Sequence, residues 1–143
     1  MRAKDYLSQV AWIQQEIDTL AKERESIFNL TVRRPIISDM KVQSSGKGQG
    51  DDIFATLADY AVRIANRSDD LIKLKIKISE QIEKIEDPTC RQLLRYRYTI
   101  GFTWEKIAEF MGYDLRWVYR LHGKALHEFE KAIKSHQEKM ILL

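Results

Sequence analysis

Three cations follow one another at intervals of four residues in the last third of the chain: Arg116, Arg120 and Lys124. In an α-helix that spacing places them on one face, where they repel one another and contribute little to an isolated fold. A solvated basic face is the simple interpretation of such a stripe. The chemical interpretation is recognition of a polyanion, because an arginine fork matches the paired acceptors on the major-groove edge of guanine.

The position of this stripe favours the second interpretation. The stretch TWEKIAEFMGYDLRWVYRLHGKAL, residues 103–126, predicts two helices joined at Gly112, with Thr103 capping the first and Asp114 capping the second. Val118, Leu121, Ala125 and Phe129 form the apolar stripe of the second helix. In a helix-turn-helix the second helix enters the major groove of DNA with its N-terminal end. Arg116 and Arg120 lie in its first two turns.

These patterns assign roles to eight side chains. The predicted base readers are Arg116 and Arg120, joined by Trp117 and Tyr119, each of which either plugs the core or meets a thymine methyl group or a phosphate. The predicted phosphate contacts are Lys124, Arg95, Arg97 and Thr103. Gly123 interrupts the reading helix, and close approach of DNA, close approach of a neighbouring helix and neutral drift are the three explanations for it.

The elements that precede this module are two long helices. Apolar residues recur every three or four positions from Ala3 to Ile27, and again from Ile53 to Ile85. We expect the two helices to pack antiparallel, joined by a flexible loop at 31–50 that is rich in Ser and Gly. Asp51 and Asp52 are the predicted N-terminal cap and first-turn carboxylates of the second helix.

Several apolar residues lie off the two seams of this hairpin. They are Leu7, Trp12, Phe28, Phe54, Ile72 and Ile76. One helix pair cannot bury its seam and its flanks together, so further helices must cover them. We expect self-association into a four-helix bundle to supply these covering helices, and packing against the C-terminal module is the alternative.

The residues from Pro88 to about 130 resemble region four of bacterial sigma factors. The matching positions are Thr103, Glu105, Ile107, Ala108, Gly112, Asp114, Val118, Ala125 and Leu126, with Met111 and Leu121 as conservative replacements. Sigma factors place Arg and Glu directly after the cap of the reading helix and a further Arg three residues on. Leu115, Arg116 and Tyr119 occupy those positions here, so promoter specificity of the sigma type does not carry over.

The whole chain also resembles small proteins encoded by phages and prophages of Gram-positive bacteria, which are similar to the ArpU-type regulators of phage late genes. The resemblance rests on AKDYLSQV, on the paired long helices and on EDPTCRQLLRYRY followed by TWEKIAEFMGY and WVYRLHGKAL. It implies a transcriptional regulator that binds DNA, with host RNA polymerase as a further partner.

The sequence contains no residue pattern typical of a catalytic site, a metal site or a membrane span. His122, His127 and His136 lack the spacing of a zinc helix, and Cys90 is the single cysteine. We therefore expect no enzyme activity, no cofactor and no metal. No apolar run approaches the ~20 residues that a membrane span needs, and a reducing, cytoplasmic location fits the composition. The resemblance implies that this is the cytoplasm of a bacterial host cell. Residues 91–143 carry 10 basic and 6 acidic side chains, which places a positive charge excess in the predicted DNA-binding module.

The sequence thus predicts an all-α protein with a helical hairpin at 1–87 and a three-helix helix-turn-helix module at 88–143. The hairpin would make the protein a homodimer, and the module would bind double-stranded DNA for transcription regulation. Two alternatives stay open. One is viral DNA recognition of the small terminase subunit kind, for which a ring of eight or more chains is expected, and the other is a protein-interaction module that does not bind DNA.

Overall fold

A computed structural model describes residues 2–33 and 46–142 and contains no β-strand in those ranges. The elements are α1 (Ala3–Val32), α2 (Gly46–Ile82), α3 (Pro88–Leu94), a π-helical segment that continues α3 (Arg95–Ile100), α4 (Trp104–Met111) and α5 (Leu115–Leu142). The all-α prediction is confirmed. The chain forms two compact units, the first made of Met1–Trp12 with Leu71–Leu143 and the second of Ile13–Asp70.

The second unit contains parts of α1 and α2. Residues later in α1 contact residues earlier in α2, so the two segments run in opposite directions. Arg67 forms an ion pair with Glu16 at 2.8 Å, and Glu23 accepts a hydrogen bond from the Tyr60 hydroxyl at 3.0 Å. Arg24, which interrupts the apolar stripe of α1, donates to the backbone oxygen of Leu57 at 3.2 Å. These exposed polar pairs contribute little stability, so the buried apolar seam supplies most of the attraction between the two segments.

The first unit brings the start of α1 together with α3, α4 and α5. The ring of Tyr6 stacks on that of Phe129 with 6.2 Å between centroids, and the Tyr6 hydroxyl donates to Gln81 at 2.8 Å. The core of this unit consists of apolar side chains contributed by every helix. It includes Leu7, Ile78, Ile82, Ile85, Cys90, Leu93, Leu94, Ile107, Val118, Ala125 and Phe129.

The boundary between hairpin and helix-turn-helix at Asp87 stays a prediction. Residues 1–12 and 71–87 group with the C-terminal helices. Leu7, placed off the hairpin seam by the sequence, is fully buried in this first unit. Packing within the chain therefore covers Leu7, whereas Trp12, Phe28, Phe54, Ile72 and Ile76 stay exposed.

The predicted start of the second helix is wrong. α2 begins at Gly46, so Asp51 and Asp52 lie inside it rather than at its cap, and residues 46–50 of the predicted loop are helical. Propagating a helix by one residue adds one backbone hydrogen bond, so a helix with a strong apolar stripe extends past a possible cap. The remainder of the loop prediction falls on residues 34–45, which lie outside the described residues.

The helix ends of the C-terminal module follow the local signals of the sequence. The Asp87 side chain accepts from the Thr89 N–H at 2.9 Å, with Pro88 as the first helical residue. Gly101 and Gly112 both adopt the left-handed conformation, with φ of 93° and 70°. The Thr103 hydroxyl accepts from the Lys106 N–H at 3.2 Å and caps α4.

Candidate nucleic-acid interface

Helix α5 is anchored by one face and displays the other. Val118, Leu121, Ala125 and Phe129 are buried, as their spacing predicts. α5 packs against both α3 and α4, and Ile107 and Ala108 of α4 are buried with it. The backbone turns at Gly112, and the Val118 N–H donates to the Asp114 backbone oxygen at 3.0 Å to close the first turn of α5. The start of α5 is therefore held firmly while its outer face stays open.

Arg116 and Arg120 lie on this open face, and both are exposed. Neither side chain forms an ion pair or a hydrogen bond with any residue in the described ranges. Two guanidinium groups one helical turn apart repel each other in the free protein. An anionic partner would relieve that repulsion and could accept hydrogen bonds from the five N–H donors of each guanidinium group.

Trp117 and Tyr119 flank the two arginines, and each is 49% exposed. Neither fills the core, which answers one of the two possibilities that the sequence leaves open. The Tyr119 ring meets the Trp104 ring edge-on with 5.7 Å between centroids, so its orientation is restrained from within the module. Trp117 extends from the first turn of α5 as an exposed aromatic surface.

Lys124 continues the cationic stripe but is paired with a residue of the protein itself. Its ammonium group lies 3.2 Å from an Asp87 carboxylate oxygen, in an exposed pair. The hydrogen bond between them raises the pKa of Lys124 and lowers the pKa of Asp87. Because Asp87 also caps α3, this pair links the start of α3 to the third turn of α5. A phosphate contact from Lys124 would have to compete with that carboxylate.

The other predicted phosphate contacts are likewise engaged within the chain. Arg95 forms an ion pair with Glu83. Arg97 donates to the Phe102 backbone oxygen at 3.1 Å, and its guanidinium lies 4.3 Å from the centroid of the Trp104 ring. The Thr103 hydroxyl is used by the cap of α4. Within the described ranges, the candidate cations therefore divide into two that form no ion pair or hydrogen bond, Arg116 and Arg120, and three that already have partners.

A cluster of rings joins the π-helical segment, α4 and α5. The Tyr98 hydroxyl is 2.7 Å from His122 Nε2, and the Trp104 ring meets His122 edge-on at 4.5 Å. Burial raises the pKa of Tyr98 to about 12 and lowers the pKa of His122 to about 4. Neutral His122 thus serves as a structural side chain that ties the π-helical segment to α5.

This depressed pKa predicts a pH dependence of stability. The folded protein keeps His122 neutral, whereas the unfolded chain takes up a proton as the pH falls through about 6.5. The free energy of unfolding should therefore fall between about pH 6.5 and pH 4.5. In His122→Gln the same acid scan should show a flatter profile, measured by urea unfolding at each pH. His127→Gln is the matched control, since His127 is exposed; an equal flattening in both variants would contradict the assignment.

A second ring cluster is not apparent from the sequence pattern. The rings of Tyr96, Phe102 and Phe110 contact one another, with centroid distances of 5.4 Å for Tyr96–Phe102, 5.2 Å for Phe102–Phe110 and 6.0 Å for Tyr96–Phe110. The Lys106 ammonium lies 4.3 Å from the Phe102 centroid. The placement of Phe102 before α4 and Phe110 near its end is the sequence feature that could have indicated it. The cluster stiffens the turn at Gly101 that carries the chain into α4.

Other chemistries have few candidate groups in this structure. Within residues 2–33 and 46–142, no three His, Cys, Asp or Glu side chains are arranged to hold a metal ion. Cys90 is buried, and that burial raises the pKa of its thiol to about 11, which makes it a poor nucleophile. Among the described helices, none has both the length and the apolar content that crossing a bilayer requires.

Comparison with known proteins places the chain in a family. Searches of the curated proteins and of the solved structures found no match. One family model matches residues 31–130, a range that includes all of α2, α3 and α4 and the first half of α5. It covers more than half of the chain and contains Arg116, Arg120 and the residues that position them. The chain therefore belongs to DUF1492, a family described as proteins of unknown function.

Proposed function

We propose that this protein binds double-stranded DNA through a helix-turn-helix formed by α4 and α5 and acts as a transcriptional regulator of phage or prophage type. The observation that carries the proposal is the exposure of Arg116 and Arg120 at the start of α5, without partners among the described residues. Two such groups at the N-terminal end of an anchored helix suit insertion into a major groove.

The arrangement around them supports a reading role. α4 ends at Met111 and α5 begins at Leu115, so three residues separate the helices. The buried side chains Ile107, Val118 and Leu121 fix the packing of the two helices. In this proposal Arg116 and Arg120 read guanine edges, while Trp117 and Tyr119 contact thymine methyl groups or phosphates. Lys124, Arg95, Arg97 and Thr103 take phosphates, the three cations at the cost of their present partners.

The first experiment is selection of binding sites from a random pool of DNA duplexes, followed by affinity measurements over a range of salt concentrations. We expect one enriched sequence motif and a linear fall of log affinity with log salt, because each phosphate contact releases counterions. An absence of salt-dependent DNA binding would contradict the proposal and would favour a protein-interaction module. Contact with host RNA polymerase and a cytoplasmic location in a bacterial host are proposals that rest on the sequence resemblance.

We further propose that the long helices make the protein a homodimer. Phe54, Ile72 and Ile76 of α2 remain 64%, 55% and 54% exposed, and Trp12 of α1 is 70% exposed. Large exposed apolar side chains on long helices favour association, because burying them against a second copy removes them from water. Two linked reading modules would also bind paired half-sites with a gain in affinity.

Replacement of Ile72 by lysine should weaken that dimer. A charge at a position buried between two copies costs far more than one at a solvated position. We expect Ile72→Lys to shift the mass measured by analytical ultracentrifugation from dimer to monomer at micromolar concentration, while Asn66→Lys, at an exposed polar position of α2, leaves it unchanged. A wild-type monomer would contradict the dimer proposal, and a ring of eight or more chains would favour DNA packaging over regulation.

A further inference from the structure

Gly123 lies in the interior of α5, which runs from Leu115 to Leu142. Glycine is among the least favourable residues in a helix interior, because it loses the most backbone freedom when it becomes helical. A glycine there is accounted for when the chain needs a left-handed conformation or when another group approaches too closely for a Cβ atom. Each of these reasons can be tested against the structure.

The chain itself does not require this glycine. Gly123 is not among the glycines with positive φ, which are Gly101 and Gly112. Apart from the nearby backbone of α5 itself, a Cβ atom built on Gly123 meets no heavy atom of the described residues within 4 Å, so the position opens onto space that they leave unoccupied. Close packing against a neighbouring helix of the described chain, one of the explanations left open by the sequence, is thereby removed.

Gly123 lies on the same face of α5 as Arg116 and Arg120, the face that would read DNA in the proposed function. At about 100° per residue, Gly123 falls between Tyr119 and Arg120 around the helix and within about 20° of Arg116. All of these residues are exposed. Gly123 follows Arg120 by three residues, so it lies one turn further from the N-terminal end that would enter the groove. The Cβ is therefore missing from the face that would turn toward DNA.

We infer that Gly123 is the point at which the sugar-phosphate backbone of the DNA lies against α5, and that the missing Cβ sets how deeply the helix enters the groove. This inference rests on the proposed function. A second copy of α5 is the competing occupant, but it would bring Arg116 and Arg120 of two chains together on one cationic face. A phosphate backbone is attracted to the same face.

The test is a size series at one position, Gly123→Ala and Gly123→Leu, measured on the selected duplex. Both variants should be more stable than wild type, with Tm raised by roughly 2–8 °C, because each residue is a better helix former. Both should bind DNA more weakly, by roughly 5-fold to 100-fold, with leucine the worse of the two. Ser135→Leu places the same side chain at an exposed position of α5 and should leave DNA affinity unchanged.

The outcomes separate this inference from the proposed function. If wild type binds the duplex and Gly123→Leu binds equally well, the inference is overturned and the DNA-binding proposal stands. If wild type binds no duplex at any salt concentration, both are overturned. If Gly123→Leu changes the molecular mass in ultracentrifugation and leaves the DNA affinity of the assembled protein intact, Gly123 serves a contact between copies, which overturns the inference.

Discussion

Replacing Arg116 and Arg120 together by alanine should lower the affinity for the selected duplex by roughly 30-fold to 10,000-fold. Each arginine that reads a guanine contributes about 1–3 kcal/mol of discrimination, and 1.4 kcal/mol corresponds to a tenfold change. The two side chains form no described contact within the protein, so the fold should be unaffected. Electrophoretic mobility shift or fluorescence anisotropy measures the affinity, and the urea midpoint measures the fold.

Two further variants separate base reading from charge. Lys131→Ala with Lys134→Ala removes two exposed cations from the same helix, and it should lower specific and non-specific binding alike by less than about tenfold. Arg116→Lys with Arg120→Lys keeps both charges but removes the planar forks, so non-specific affinity should survive while specificity falls. Unchanged affinity of the double alanine variant for the selected site would remove α5 as the reading helix.

Replacing Phe129 by alanine should cost about 3–5 kcal/mol in the free energy of unfolding, as found for large aromatic residues in protein cores. Phe129 is 1% exposed and its ring stacks on that of Tyr6. The cavity would open between the start of α1 and α5 within the first unit. Because small proteins are stable by only about 5–15 kcal/mol, the variant should be largely unfolded under mild denaturing conditions.

Phe110→Ala is the matched control for this cavity. The Phe110 ring is more than half exposed, although it stacks on Phe102. Its removal should therefore lower the free energy of unfolding by less than half as much as Phe129→Ala. Urea unfolding followed by circular dichroism gives both values. Equal losses in the two variants would contradict the burial of Phe129 in the core. They would also contradict a stabilising contact between Phe129 and Tyr6 of α1.

The helix ends were predictable because their causes are local. Asp87 before Pro88, the cap at Thr103 and the left-handed turns at Gly101 and Gly112 each depend on a few neighbouring residues. The buried stripe of α5 was predictable for the same reason, since apolar periodicity alone decides which face is buried. The start of α2 was not, because a possible cap at Asp51 does not force a helix to begin there.

The partners of the cations could not be read from the sequence. Lys124 and Asp87 meet only because α5 folds back along α3, and Arg97 meets Trp104 only because the chain turns at Gly101. Spacing shows that a lysine lies on a helical face but not whether a distant carboxylate already occupies it. Spacing therefore groups Arg116, Arg120 and Lys124 as one stripe, whereas tertiary packing pairs Lys124 with Asp87 and leaves the two arginines without a partner among the described residues.

The π-helical segment determines the direction in which its own side chains leave the helix. In its wider turn the Gly101 N–H donates to the Tyr96 oxygen five residues earlier, at 3.0 Å, rather than four. That extra residue sets the direction in which Tyr98 leaves the helix, and this direction brings its hydroxyl to His122. Deleting one residue between α3 and Tyr98 would turn the Tyr98 side chain by about 100° around the helix axis and take its hydroxyl away from His122. The module thus gives up regular hydrogen bonding to keep α3 and α5 in register.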